Sequence, residues 1–211
     1  MNVLFDLDGT LTDPFEGITN CIVYALETLG RTPPLATDLR WAIGPPLLGS
    51  MEQLLGSREL AIEGLRIYRE RFSSVGLFEN RVYDGIPELL ITLLDRDFDL
   101  FVATSKPTVY TVRILENFSL DGFFKGVFGS ELDGTRTDKG ELIAHLLEAV
   151  GLDRAETVMV GDRSHDIIGA RINGLESIGV LYGYGTREEL VSAGATWLAE
   201  TPEDIAKTIS G

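Results

Sequence analysis

Short apolar runs alternate along this chain with longer stretches of helical period. Val3-Leu4-Phe5, Leu100-Phe101-Val102-Ala103, Val127-Phe128, Val158-Met159-Val160 and Ile178-Gly179-Val180-Leu181 read as buried strands, with Thr196-Trp197-Leu198 as a short sixth. Helical period marks residues 86–96, 108–118, 138–150, 165–173, 187–193 and 202–209 between and after them. Continuously apolar strands separated by helices predict a parallel sheet covered on both faces, a doubly wound α/β core.

One stretch breaks the alternation. Residues 15–81 carry helical period and no strand signal. Ile18, Cys21, Ile22, Ala25, Leu26 and Leu29 form one helical stripe, and Ala61, Leu65, Tyr68, Phe72 and Val75 mark another. Asp13-Pro14-Phe15-Glu16 predicts a capped helix start with Pro14 in the first turn, and Gly30 predicts its stop. Pro33-Pro34 and Gly44-Pro45-Pro46 divide the segment into shorter helices. The expected organisation is a core of residues 1–14 and 82–211, with a helical cap of residues 15–81 inserted after the first strand.

The charge balance narrows the function. Thirty-three acids against 18 bases give a formal charge of −15 over 211 residues. That sign repels phosphate backbones and anionic lipid, which disfavours nucleic acid and membranes as partners. A lone cysteine, Cys21, cannot form an internal disulfide, in agreement with a reducing compartment. No Lys or Arg precedes Arg31 and no apolar run is long enough for a membrane helix. These features predict a cytoplasmic protein without a secretory signal.

Acids fall where open α/β sheets place their ligands, at the carboxyl ends of strands. Asp6 and Asp8 follow the first strand in Phe5-Asp6-Leu7-Asp8-Gly9-Thr10. In extended chain, positions i and i+2 share a side at roughly 6.5 Å, so the two carboxylates repel unless a cation or proton lies between them. Gly9 lets the chain turn and present main-chain N–H groups. The fourth strand ends in Gly161-Asp162-Arg163-Ser164-His165-Asp166, where Asp162 sits at the tip and Asp166 in the first helical turn. Taken alone, Asp166 reads first as a helix cap. Oxygen donors of this kind suit Mg²⁺ rather than zinc, and His145 and His165 read as structural or surface residues. Thr104-Ser105 ends the second strand with hydroxyls and N–H groups suited to an anion. Lys139, at a helix start where the dipole disfavours a cation, reads alone as a surface lysine or as a cation with an anionic partner.

The ordered set Asp6-Leu7-Asp8-Gly9-Thr10, Thr104-Ser105-Lys106-Pro107, Lys139 and Gly161-Asp162 with Asp166 resembles the haloacid dehalogenase-like hydrolases. Within them it is similar to the phosphoglycolate-phosphatase-like branch that carries a helical cap. Ser105 departs from the Asn usual there. The resemblance implies that Asp6 is the nucleophile and Asp8 the general acid and base. It implies Mg²⁺ held by Asp6, the Asp8 carbonyl, Asp162 and Asp166, and phosphate held by Thr104, Ser105 and Lys139. The implied activity is Mg²⁺-dependent hydrolysis of a small phosphorylated metabolite through an aspartyl-phosphate. Phosphoglycolate, nucleoside monophosphates and sugar phosphates are the candidate substrates. Asp8 argues against halide displacement, which needs no proton for its leaving group. A sugar phosphomutase and a non-enzymatic binding protein are the alternatives. Substrate choice is expected from the cap, with Arg40 and Gly44 as candidate contacts alongside Lys106. The oligomeric state, monomer or homodimer, stays open.

Overall fold

The computed structural model describes residues 1–210 and divides into two compact units, Met1–Asp13 with Val82–Gly211 and Pro14–Arg81. In the first unit the apolar runs pair into one six-stranded sheet. Its strands are β1 (Asn2–Phe5), β2 (Asp99–Pro107), β3 (Gly126–Ser130), β4 (Thr157–Gly161), β5 (Glu176–Val180) and β6 (Trp197–Ala199). They lie in the order β3-β2-β1-β4-β5-β6 with every pairing parallel. Val3, Leu4 and Phe5 are wholly buried and each residue of β4 is buried, because helices cover both faces.

Register decides where the strand ends fall. Phe5 lies opposite Val102 on one side and Val160 on the other. Asp6, Thr104 and Asp162 therefore emerge one or two residues later at a single edge, and the Asp6 N–H donates to the Val160 carbonyl at 2.9 Å. β1 is the point at which the strand order reverses, so this edge is the crevice where such sheets bind ligands.

The second unit contains α1 (Phe15–Thr28), a 3₁₀ segment Ala36–Ala42, α2 (Leu47–Leu55), α3 (Arg58–Arg71) and a π-helical turn Phe72–Gly76. α3 packs against both α1 and α2. The stripe from Ile18 to Leu26 is buried, and Gly30 takes a left-handed φ of 68° one residue past the cap of α1. Two local expectations are corrected. Pro14, not Asp13, occupies the N-cap of α1, and no side chain caps that end. Asp13 instead accepts a hydrogen bond from the Tyr184 hydroxyl of its own unit. Val75, expected in the α3 stripe, is 46% exposed because the π-helical turn shifts the helical phase before it.

The remaining helices belong to the first unit: α4 (Ile86–Leu94), α5 (Thr108–Asn117), α6 (Lys139–Val150), α7 (Ser164–Ile172), α8 (Arg187–Ala193) and α9 (Pro202–Ser210). Among the described residues no helix is long and apolar enough to cross a membrane. Ile143, Leu146 and Leu147 of α6 join Ala170 of α7 over Leu4, Phe101 and Met159 of the sheet. The two helices approach closely at Gly140 and Gly169, and the Asn173 amide donates to both glycine carbonyls at 2.9 Å. Asn173→Ala would remove two buried side-chain hydrogen bonds and is expected to cost about 1–3 kcal/mol of stability. Urea unfolding measures it, and a loss within about 0.3 kcal/mol would mean that the amide does not hold the helix pair.

Candidate active site

The loop after β1 is tied to itself before any ligand is considered. The Leu7 carbonyl accepts from the N–H groups of Leu11 and Thr12 at 2.9 and 3.0 Å, and Gly9 N–H donates to Thr12 at 2.8 Å. Gly9 sits at φ +87°, and a Cβ there would fall 2.2 Å from Asp162 Oδ2. Only glycine lets this loop and the tip of β4 meet. Asp6 and Asp8 are thereby buried to 5% and 8% exposure beside Asp162 and Asp166, which are 0% and 1% exposed.

One carboxylate oxygen each from Asp6, Asp162 and Asp166 falls within a mutual 4.8 Å. Burial, then the neighbouring Asp166 and Asp6 charges, push the Asp162 carboxyl well above its usual range, while the Tyr184 N–H at 2.8 Å partly offsets them. Burial likewise raises Asp166 to about 6, with Asp6 adding to the rise and Lys139 opposing it. A buried all-oxygen cluster in which Asp162 and Asp166 resist ionisation fits a hard divalent cation such as Mg²⁺. The Asp8 side chain is outside this cluster.

Lys139 is the first residue of α6 and is 4% exposed. Its ammonium donates to Asp166 Oδ1 at 2.7 Å, Asp6 Oδ1 at 3.0 Å and the Ala103 carbonyl at 2.9 Å. Burial works against its charge, but the two aspartates more than offset that and hold it protonated. The anionic partners that its sequence position calls for include these carboxylates. Asp166 caps the start of α7, its Oδ2 accepting from the Arg163 N–H at 3.1 Å, while Oδ1 holds Lys139.

Thr104 is buried, with its hydroxyl accepting from Lys106 N–H at 3.3 Å. The Ser105 hydroxyl donates to the Thr137 carbonyl at 3.1 Å, so its proton serves the loop before α6. Lys106, grouped by sequence with the cap contacts, lies in the core unit and pairs with Asp8 Oδ2 at 2.6 Å. Burial raises the Asp8 carboxyl and Lys106 opposes that rise. Asp8 Oδ1 is buried without a hydrogen-bond partner. In the other unit, exposed Arg40 stacks its guanidinium 5.7 Å over the Phe15 ring, and Gly44 turns the chain at φ +102°. His145 and His165 are exposed on their helices.

Sequence reasoning missed the loop after β5. Tyr182 donates to the Thr10 carbonyl at 3.0 Å, and a Cβ on Gly183 would lie 2.4 Å from Asp162 Cβ. The dense Tyr182-Gly183-Tyr184-Gly185 run is the signal that could have flagged it.

The profile of haloacid dehalogenase-like hydrolases matches residues 3–180. The chain belongs to that family. It is 54% identical over 190 residues to a 5'-nucleotidase of Pseudomonas aeruginosa, covering 90% of this chain and 86% of that one. A predicted phosphatase from Clostridium acetobutylicum superposes with a TM-score of 0.96 at 43% identity, over 99% of this chain and 97% of that one. The tyrosine-protein kinase PtkA of Mycobacterium tuberculosis H37Rv is 38% identical over 183 residues, covering 87% of this chain and 62% of that one. Within the family, this chain is a phosphoric monoester hydrolase.

The raised carboxyls set the pH behaviour of cation binding. Asp166 binds its proton more tightly folded than unfolded, so the penalty for ionising it in place appears as pH climbs towards about 6. A bound cation relieves that penalty only once the proton has left. The rise in Tm on adding Mg²⁺ is therefore expected to grow from about pH 5 to about pH 8. Thermal unfolding in chelator and in Mg²⁺ at each pH measures it. A shift that shrinks with rising pH, or no shift, would contradict the cluster as a cation site.

Proposed function

We propose that this protein hydrolyses a small phosphate monoester through an aspartyl-phosphate on Asp6. The observation that carries the reading is the buried pair on one tight loop, Asp6 within the acidic cluster and Asp8 beside it with one oxygen unpartnered. Asp6, Asp162, Asp166 and the Asp8 carbonyl would hold Mg²⁺. When bound, the ion offsets the repulsion between the carboxylates and an incoming phosphoryl dianion.

The chain's own groups then divide the work. An Asp6 oxygen attacks phosphorus as the bond to the leaving alcohol breaks, and protonated Asp8 gives its proton to that alcohol oxygen. Asp8, now a carboxylate, accepts a proton from the water that attacks phosphorus. The Asp6–phosphorus bond breaks and inorganic phosphate leaves. Thr104, Ser105 and Lys139 hold the phosphoryl oxygens, where negative charge must be stabilised, with the Ser105 hydroxyl exchanging the Thr137 carbonyl for a phosphoryl oxygen. For Lys139 this means exchanging a carboxylate partner for a phosphoryl oxygen.

The relatives' names favour a small ester, with nucleoside monophosphates and phosphoglycolate the first to test. Arg40 and Gly44 are proposed to tune that choice. A panel of phosphate monoesters with Mg²⁺, read as inorganic phosphate release, is the direct experiment. Asp6→Asn should fold normally and lose about 10³-fold or more in kcat on every ester, and Asp8→Asn about 10²–10⁴-fold on alkyl phosphates. Near wild-type phosphate release by a folded Asp6→Asn protein would overturn the mechanism. An isomerised ester without phosphate release would make the protein a mutase instead.

A further inference from the structure

We propose that Lys106 is a positioning residue for proton transfer: it clamps Oδ2 of Asp8 so that Oδ1 faces the leaving-group oxygen. This rests on Asp8 being the general acid and base. Three observations carry it. The Lys106 ammonium meets Oδ2 at 2.6 Å with its side chain only 7% exposed. The other oxygen, Oδ1, is buried with no hydrogen-bond partner. The backbone also delivers Lys106 deliberately, because the β2–β3 register shifts between Thr104 and Pro107. Such an irregularity re-aims the side chains that follow it.

The two oxygens of Asp8 are held unequally. A carboxyl group with both oxygens equally placed samples two orientations, and only one presents a proton to the alcohol. A buried ammonium fixed on one oxygen removes that ambiguity, and proximity in the reacting geometry is worth large factors in rate. A lysine buried here for stability alone would leave the second oxygen's environment irrelevant to catalysis. Buried unpartnered oxygens are uncommon, which gives Oδ1 an expected visitor. That visitor is the oxygen atom that departs from phosphorus, then the attacking water at the same place.

The experiment compares Lys106→Met, Lys106→Arg and Asp8→Asn on aryl and alkyl phosphates whose leaving groups span a wide range of acidity. A 4-nitrophenyl leaving group departs without a proton, whereas an alkyl alcohol requires one. Lys106→Met should lose about 10–100-fold in kcat on alkyl phosphates, with KM little changed, and less than about 3-fold on 4-nitrophenyl phosphate. Lys106→Arg should recover part of the alkyl rate while retaining charge at the position. In an Asp8→Asn background, Lys106→Met should add less than about 2-fold, since the group it positions is gone. An equal loss across all leaving groups, or full additivity with Asp8→Asn, would overturn the proposal. Should Asp8→Asn itself prove indifferent to the leaving group, the general-acid reading fails with it. If Asp8→Asn is leaving-group dependent and both Lys106 variants are not, only the role of Lys106 fails.

Discussion

Four carboxylates and two ammonium groups share one dry edge of a parallel sheet, and the rest of the site follows from making that arrangement tolerable. Asp6, Asp8, Asp162 and Asp166 are each nine-tenths buried or more, and Lys106 and Lys139 are the cations against them. Unpaired, a buried carboxylate either takes a proton or destabilises the fold. With all four ionised, the two lysines leave an excess of two negative charges. A divalent cation has the charge and the oxygen preference to match that excess. The same excess keeps the cluster poised: fully neutralised by lysines, it would have little affinity for the ion.

The sheet makes this possible because strand ends are fixed more tightly than loops. Asp6 and Asp162 leave neighbouring strands in register, so their separation is set by ladder hydrogen bonds rather than by flexible chain. Asp166 is held differently, by capping the helix in whose first turn it lies. Lys139 opens another helix, where the dipole works against it, yet Asp138 caps that end by accepting from the Glu141 N–H at 3.0 Å. Each charged group is thus pinned by backbone before it interacts with another. Little reorganisation is then needed when charge moves during a reaction.

Much of this was readable in the sequence, for a physical reason. Buried parallel strands are apolar throughout, so an acid at their end stands out against Val3-Leu4-Phe5 or Val158-Met159-Val160. Contacts set by irregular backbone were not readable. Lys106 reaches Asp8 across a register shift that no periodicity announces. Asp13 looks like a helix cap in its local sequence, but Tyr184, 171 residues away, takes its carboxylate. Val75 fits a helical stripe until a π-helical turn alters the phase. Local pattern reports the regular elements and is blind where tertiary partners or an extra backbone residue intervene.

The loop after β5 extends this logic to the part of the site without charges. Gly183 packs against the Cβ of Asp162 and the carbonyl of Gly9, and Gly185 against the Asp162 carbonyl, at distances no side chain would permit. Tyr184 N–H then donates to Asp162 Oδ2, with Thr10 completing the shell at Oδ1. These neutral donors favour the ionised form of Asp162, against the burial that suppresses it. Asp162 is the acid with no lysine on it, so its charge depends on hydrogen bonds rather than on an ion pair. That division leaves Lys139 committed to Asp6 and Asp166, and Lys106 to Asp8. An added lysine at Asp162 would relieve the same repulsion, but it would also remove the local negative potential that a divalent cation needs.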